Sequence, residues 1–237
     1  MASALELTLI WVREGTELLL KALESVGDDA LGAPSGLPDW TGKHIAAHVA
    51  ANADALGNLA RWARTGAETP MYSSPEQRYA DIVAGSRETP AELRRWVASS
   101  AARLADSLDA LSPEQWLRQV RTAQGRTVPA TEIPWMRSRE VMVHAVDLGG
   151  AVTFAHLPAA FDAALLDDIA AKRSGGAGGP RLHLAATDDE RSWLVTGAGD
   201  TITVRGPLAQ LTAYLSGRPA TGLQADGAAL PSLPRWL

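Results

Sequence analysis

Hydrophobic and polar positions repeat with helical spacing over the first part of the chain. The stretch from Leu5 to Val26 alternates apolar and polar residues at this spacing, which predicts a first amphipathic helix. A second helix is predicted from a cap near Thr41 to about Arg64, where Thr65-Gly66 ends it. The apolar positions predicted to form its buried face are Ile45, Val49, Ala53, Leu56, Leu59 and Ala63.

Three further helix starts carry the same local signature, a serine or threonine at the cap, proline at the first helical position, and glutamine or glutamate at the third. They are Ser74-Pro75-Glu76-Gln77, Thr89-Pro90-Ala91-Glu92 and Ser112-Pro113-Glu114-Gln115. The second of them opens a long helix to about Leu111. After a break at 122–129, a fourth long helix contains Trp135–Leu148 and ends at Gly149-Gly150. We therefore predict an antiparallel four-helix bundle over residues 1–152.

The pattern changes in the remaining residues, 153–237. A helix from Pro158 to Arg173 is followed by a glycine-rich joint at 174–179. Short strand-like runs and one more helix complete this part, and they predict a smaller α+β domain and an α+β fold class for the whole chain. The predicted strands are Arg181–Ala186, Ser192–Thr196, Thr201–Arg205 and a run near Leu223, and the helix is Pro207–Ser216.

Composition narrows the possible classes of function. Hydrophobic residues make up 46% of the chain and charged residues 21%, and the net charge of −5 argues against nucleic acid as the main partner. No run is apolar enough to span a membrane and no basic leader is present, which predicts a cytoplasmic protein. No heptad seam is present, so a monomer is expected. The chain has no cysteine, so any thiol used in its chemistry must come from outside.

Charged and polar residues interrupt the otherwise apolar helix around Trp135–Leu148. Helical geometry places Glu140, His144 and Asp147 on one stripe. A buried charge must be paired or bound to a metal. One interpretation is a salt bridge between Glu140 and Arg137 or Arg139 beside a hydrogen-bonded core histidine.

The other interpretation is a metal site. His48 lies near the buried face of the second helix, one turn after His44 and one turn before Asn52. His48, Glu140 and His144 would supply two imidazoles and one carboxylate, and they leave a fourth position open, as in catalytic zinc sites. The same set suits non-haem Fe(II). Asp147 or Asn52 would orient an imidazole.

Arg218 follows the last predicted helix at a tight corner. It is either a solvated loop arginine or a bidentate clamp on a substrate carboxylate. The chain contains no nucleophile elbow, phosphate-binding loop or dinucleotide fingerprint.

Several stretches of the chain carry a resemblance to a known family: Asp39–Asp54, Glu68–Glu76, Thr122–Ala130 and Trp135–Leu148, with Gly217-Arg218 and the closing Pro234–Leu237. In these stretches the chain resembles the mycothiol-dependent maleylpyruvate isomerases of the DinB-like metal-binding superfamily. Ala51 is one departure, since many relatives carry a larger polar residue there, which would alter contacts to the thiol cofactor.

The resemblance implies a DinB-like bundle, a zinc ion bound by His48, Glu140 and His144, and a catalytic role for Arg218. It also implies mycothiol as cofactor and isomerisation of maleylpyruvate to fumarylpyruvate in gentisate breakdown. Residues 182–203 match only loosely. Two alternatives are another zinc-dependent mycothiol S-transferase of the same superfamily and a non-catalytic bundle whose histidines and glutamate are structural.

Overall fold

The computed structural model describes residues 3–174, 178–226, 229–233 and 236. The chain divides into two compact units, Met1–Ala151 and Val152–Leu237. Residues 175–177 of the predicted glycine-rich joint lie outside the described part, as do Pro234, Arg235 and Leu237 of the closing stretch.

Helices make up most of the first unit. Its long helices are α1 (Ala4–Ser25), α3 (Gly42–Thr65), α5 (Pro90–Asp109) and α7 (Glu132–Asp147). Shorter helices are α2 (Asp28–Gly32), α4 (Pro75–Gly85) and α6 (Pro113–Trp116). An antiparallel hairpin of β1 (Gln119–Arg121) and β2 (Thr127–Pro129) precedes α7.

The capping signatures begin helices at the predicted positions. The side-chain oxygens of Ser74, Thr89 and Ser112 each accept a hydrogen bond from the backbone N–H three residues later. Each cap thereby satisfies one of the N–H groups that a helix start leaves without an internal partner. The predicted break at 122–129 corresponds to the turn and the second strand of the β-hairpin. Gly125 lies in this turn with a positive φ of 79°, a conformation that glycine adopts at no steric cost.

Helix α3 lies at the centre of the first unit and packs against α5, α7 and α4, while α1 packs on α7. The predicted apolar face of α3 is buried, and Ile45, Val49 and Leu56 have no exposed surface. Because α3 and α7 are both packed into the core, the polar side chains on their inward faces lie in the interior.

The second unit combines two helices with a small sheet. Helix α8 (Ala159–Arg173) follows a 3₁₀ turn at Phe154–His156. The strands are β3 (Pro180–Ala186), β4 (Ser192–Val195), β5 (Ala198–Gly206) and β6 (Gln224–Ala225), in the order β4-β3-β5-β6. β3 and β5 are parallel, the other pairs antiparallel. Helix α9 (Leu208–Leu215) follows β5.

These elements confirm the predicted α+β fold class with an N-terminal helical bundle. None of the helices in the described residues has the length and apolar character needed to cross a membrane.

A close contact between α1 and α7 generates the first prediction. A Cβ atom added at Gly15 would lie 2.6 Å from Val141 Cγ2, in the fully buried core. We expect Gly15→Val to lower the free energy of unfolding by about 1–3 kcal/mol, because the added side chain overpacks this contact. The measurement is the urea midpoint, determined with the unfolding slope.

Gly57 on α3 provides the matched control, since a Cβ there meets nothing within 4 Å. Gly57→Val should change stability by less than about 0.5 kcal/mol. Equal effects at the two positions would contradict the assignment of a special close contact to Gly15.

Candidate metal centre

Two helices of the first unit bring three potential metal ligands together. Helix α3 contributes His48, and α7 contributes Glu140 and His144, one turn apart. Helix α7 is apolar on most sides and is therefore buried, and α3 packs directly against it. The two polar stripes predicted from the sequence meet at this contact.

The donor atoms converge on one carboxylate oxygen. Glu140 Oε2 lies 2.9 Å from His48 Nε2 and 3.2 Å from His144 Nε2. One ligand atom from each of the three residues lies within 4.8 Å of the others. The imidazole rings are nearly perpendicular, with centroids 5.0 Å apart.

The cluster is buried but retains an exposed side. His48 exposes 5% of its side chain, whereas His144 exposes 12% and Glu140 25%. A small ligand can therefore approach from the side of α7 that carries Glu140 and His144.

Burial and mutual charge shift the pKa values of all three groups. Burial lowers the pKa of His48, although the Glu140 carboxylate opposes this shift. Burial also raises the pKa of Glu140, but the His48 and His144 imidazoles outweigh it and hold that pKa well below its usual range. Burial disfavours the charged form of His144, yet the Asp147 and Glu140 carboxylates raise its pKa to about 9. Without a metal, the proton of the cluster thus resides on His144 at neutral pH.

Asp147 fixes the orientation of His144. Asp147 Oδ2 lies 2.9 Å from His144 Nδ1, and its residue is only 3% exposed. The last turn of α7 is itself held by the Gly36 N–H, which donates to the Asp147 carbonyl oxygen. A proton on Nδ1 shared with Asp147 leaves the Nε2 lone pair directed at the cluster, as second-shell carboxylates do for metal-bound histidines.

Asn52 is the other residue predicted to orient an imidazole, and this role stays a prediction. Its Oδ1 accepts a hydrogen bond of 3.0 Å from Arg137 Nη1, which also donates to the Val49 carbonyl oxygen at 2.8 Å. Burial lowers the pKa of Arg137 to about 10, so the fully buried guanidinium remains charged at neutral pH. Arg137 therefore donates to α3, while the nearest partners of Glu140 are the two histidines.

Sequence reasoning missed the residues that surround His48. The Trp40 ring lies edge-on to His48 with centroids 5.4 Å apart. Arg78 Nη2 lies 3.5 Å from His48 Nδ1, and its guanidinium carbon lies 5.7 Å from the Tyr72 ring centroid. The Glu68–Glu76 stretch was a signal for Tyr72, but nothing in the local pattern pointed to Arg78.

The donor set fits a divalent metal ion. Zinc–ligand bonds of about 2.0–2.1 Å in tetrahedral geometry place neighbouring ligand atoms about 3.3 Å apart. The two distances at Glu140 are close to this value. Two imidazoles and one carboxylate supply three ligands and leave an open position, and they suit zinc or Fe(II).

Arg218 belongs to the second unit, directly after α9. The helix ends through Gly217, whose φ of 77° places it in the left-handed region, and Arg218 is half-buried. Its Nη1 donates to the Ser216 carbonyl oxygen at 2.8 Å. This contact holds the side chain close to the end of the helix.

Comparisons with known proteins cover nearly the whole chain. Residues 12–149 match the family model described as the mycothiol maleylpyruvate isomerase N-terminal domain, and residues 156–234 match the MDMPI C-terminal domain. A crystal structure of the mycothiol-dependent maleylpyruvate isomerase is 40% identical, with a TM-score of 0.94 over 99% of this chain and 98% of that one. A histidine-to-alanine mutant of that isomerase gives the same values. No curated protein matches the chain.

The cluster geometry predicts stoichiometric metal binding. Purified metal-free protein should bind about one Zn²⁺ per chain, and saturation to 100 times the dissociation constant should stabilise it by about 2.7 kcal/mol. His144→Ala should abolish this stabilisation because it removes one of three ligands. The measurement is the thermal midpoint with and without Zn²⁺, with metal content determined by mass spectrometry.

The control is His44→Ala on the same helix. His44 Nδ1 accepts from the Thr41 backbone N–H and lies outside the cluster. The His44→Ala variant should keep the full increase in thermal midpoint that Zn²⁺ causes in the wild type. A similar loss in both variants would mean that zinc binds elsewhere.

The pKa of His144 predicts proton release on metal binding. A ligand imidazole must be neutral, and His144, with a pKa of about 9, carries a proton at pH 7 in the metal-free protein. We expect about one proton released per metal at pH 7, and less as the pH rises through 9. Calorimetry in two buffers of different ionisation enthalpy measures this number.

Asp147→Asn should reduce the number of protons released per metal ion at pH 7, because the hydrogen bond with the Asp147 carboxylate is the largest single cause that raises the pKa of His144. Release that is identical in the wild type and this variant would show that the proton comes from another group.

Proposed function

Since the chain belongs to the family of mycothiol-dependent maleylpyruvate isomerases, we propose that it converts maleylpyruvate to fumarylpyruvate at a zinc site formed by His48, Glu140 and His144. The observation that carries this proposal is the cluster of three ligands with an open position in a chain without cysteine. Such a chain must obtain its thiol from a cofactor.

The reaction requires rotation about a conjugated double bond. A thiolate that adds to the conjugated carbon forms an S–C bond, and the electron pair of the double bond moves to the carbonyl oxygen as an enolate. The former double bond is now single and rotates. When the enolate electrons return, the S–C bond breaks, the trans double bond forms, and the thiolate is regenerated.

The residues of the cluster prepare this chemistry. A zinc ion held by these three residues would supply positive charge that either lowers the pKa of a thiol at its open position or polarises the substrate carbonyl. His48, Glu140 and His144 would hold the ion, and the contact between Asp147 Oδ2 and His144 Nδ1 would keep the His144 Nε2 lone pair directed at it. Arg78, next to His48, adds a cation that favours an anionic substrate.

We assign substrate binding to Arg218 as well. Its guanidinium can bind a carboxylate through two parallel hydrogen bonds and stabilise the negative charge that develops on the enolate. On this proposal the metal-binding domain is 1–152 and the domain that contributes Arg218 is 153–237.

Turnover of maleylpyruvate by metal-analysed protein tests the proposal. We expect isomerisation only when mycothiol is present. His48→Ala should lose both turnover and about one zinc per chain, whereas His44→Ala should keep both. Arg218→Lys should keep the zinc and lower kcat/KM about a hundredfold, because lysine cannot form the bidentate contact.

The remaining outcomes distinguish the alternatives. Zinc binding without turnover of maleylpyruvate would indicate another mycothiol S-transferase. Absence of both zinc and turnover would indicate a bundle in which Glu140 is only a buried ion-pair partner.

A further inference from the structure

The turn that carries Arg218 is closely tied to the end of α9. The Arg218 N–H donates to the Ala213 carbonyl oxygen at 2.9 Å, and the Gly217 N–H donates to the Tyr214 carbonyl oxygen at 3.0 Å. These two hydrogen bonds, with Gly217 in the left-handed region, form the Schellman motif that ends many helices. The backbone of Arg218 is therefore fixed to the last turn of α9.

The side chain of Arg218 depends on the same turn. Its Nη1 donates to the Ser216 carbonyl oxygen, and Ser216 is itself buried and donates from its hydroxyl to the Ala213 carbonyl oxygen at 2.9 Å. A displacement of the last turn of α9 would consequently move both the backbone and the guanidinium of Arg218.

A side chain from α8 holds the end of this turn. Leu215 is the last residue of α9 and has no exposed surface. Its carbonyl oxygen accepts a hydrogen bond of 3.0 Å from Arg173 Nε. A buried carbonyl without a partner is destabilising, and a cation at the C-terminal end of a helix interacts favourably with the helix dipole. Arg173 thus stabilises the last turn of α9 in its observed position.

Arg173 is attached to a helix end that is itself held in place. It lies in the last turn of α8, which packs against α9. The next residue, Ser174, accepts a hydrogen bond at its Oγ from the Thr196 N–H at 3.0 Å, and this contact ties the end of α8 to the end of β4. Arg173 therefore reaches α9 from a fixed origin.

From these contacts we infer that Arg173 is a positioning residue for Arg218. Its hydrogen bond to the Leu215 carbonyl oxygen holds the end of α9 where the Arg218 guanidinium can bind a substrate carboxylate. A bidentate contact requires a guanidinium of defined orientation, and a displacement of about 1 Å can cost roughly a hundredfold in rate. The inference rests on the proposed function, which assigns substrate binding to Arg218.

Two substitutions of Arg173 separate its hydrogen bond from its charge. Arg173→Met keeps a similar side-chain length without a donor, whereas Arg173→Gln places an amide N–H the same number of bonds from the backbone as Arg173 Nε. We expect Arg173→Met to lower kcat/KM for maleylpyruvate about tenfold and Arg173→Gln to stay within about twofold of the wild type.

Lys172→Met is the matched control. It removes a cation from the adjacent position of α8, where Lys172 Nζ pairs with Asp168 of the same helix at 2.7 Å. This variant should keep the kcat/KM of the wild type. A loss in Lys172→Met equal to that in Arg173→Met would mean that the charge of the helix end matters and the contact with Leu215 does not.

A double-mutant cycle distinguishes positioning from a general structural role. If Arg173 acts through Arg218, Arg173→Met should have no further effect on kcat/KM in the Arg218→Lys background. A substitution that only weakens the second unit would lower kcat/KM by the same factor in both backgrounds. Equal losses in the two backgrounds, or equal losses in Arg173→Met and Arg173→Gln, would overturn the inference.

Hydrogen exchange tests the same contact without turnover. The Arg218 amide N–H is bonded to the Ala213 carbonyl oxygen, and we expect its exchange to accelerate about tenfold or more in Arg173→Met and to stay unchanged in Arg173→Gln. Identical exchange in the wild type and Arg173→Met would refute the positioning contact. Failure of the proposed function alone would instead leave the wild type without turnover and this difference in exchange intact.

Discussion

The partly buried carboxylate of Glu140, held between imidazoles from two helices, is the interaction on which the first unit depends. A carboxylate that has lost most of its contact with water is destabilising unless it is paired, so the two imidazoles stabilise the folded state. Rotation of α3 by one residue, about 100°, would carry His48 away from Glu140 and leave the charge uncompensated. The relative position of α3 and α7 is therefore set by the contact between His48 and Glu140 as well as by apolar packing.

The charges around Glu140 form two separate networks along α7. One connects Glu140, His144 and Asp147. The other connects Arg137 to Asn52 and to the Val49 carbonyl oxygen on α3. Because Arg137 is directed at the α3 backbone, the Glu140 carboxylate is left for the histidines. An arginine that formed a direct pair with Glu140 would compete with a metal ion for the same oxygens.

Local spacing explains which parts of the site the sequence could predict. Glu140, His144 and Asp147 share a stripe on one helix, and His48 lies near the buried face of another, so both stripes follow from helical periodicity. The partner of Asn52 could not be predicted, because periodicity places a side chain on a face of the helix without identifying the residue that it contacts. Arg78 reaches His48 from α4 through a tertiary contact that no local pattern encodes. The strands of the β1–β2 hairpin, three residues each, are too short for an alternating pattern.

Charge balance explains why such a cluster suits a thiolate. In the metal-free protein the charges of four neighbouring residues balance one another, with Glu140 and Asp147 negative and Arg137 and His144 positive. On the proposed function a divalent ion would displace the proton of His144, and these four residues with the ion would then carry a net charge of about +1. One anionic ligand at the open position restores neutrality in an interior where unbalanced charge is costly. The chain has no cysteine to provide that anion, so on the proposed function an external thiolate would complete the site.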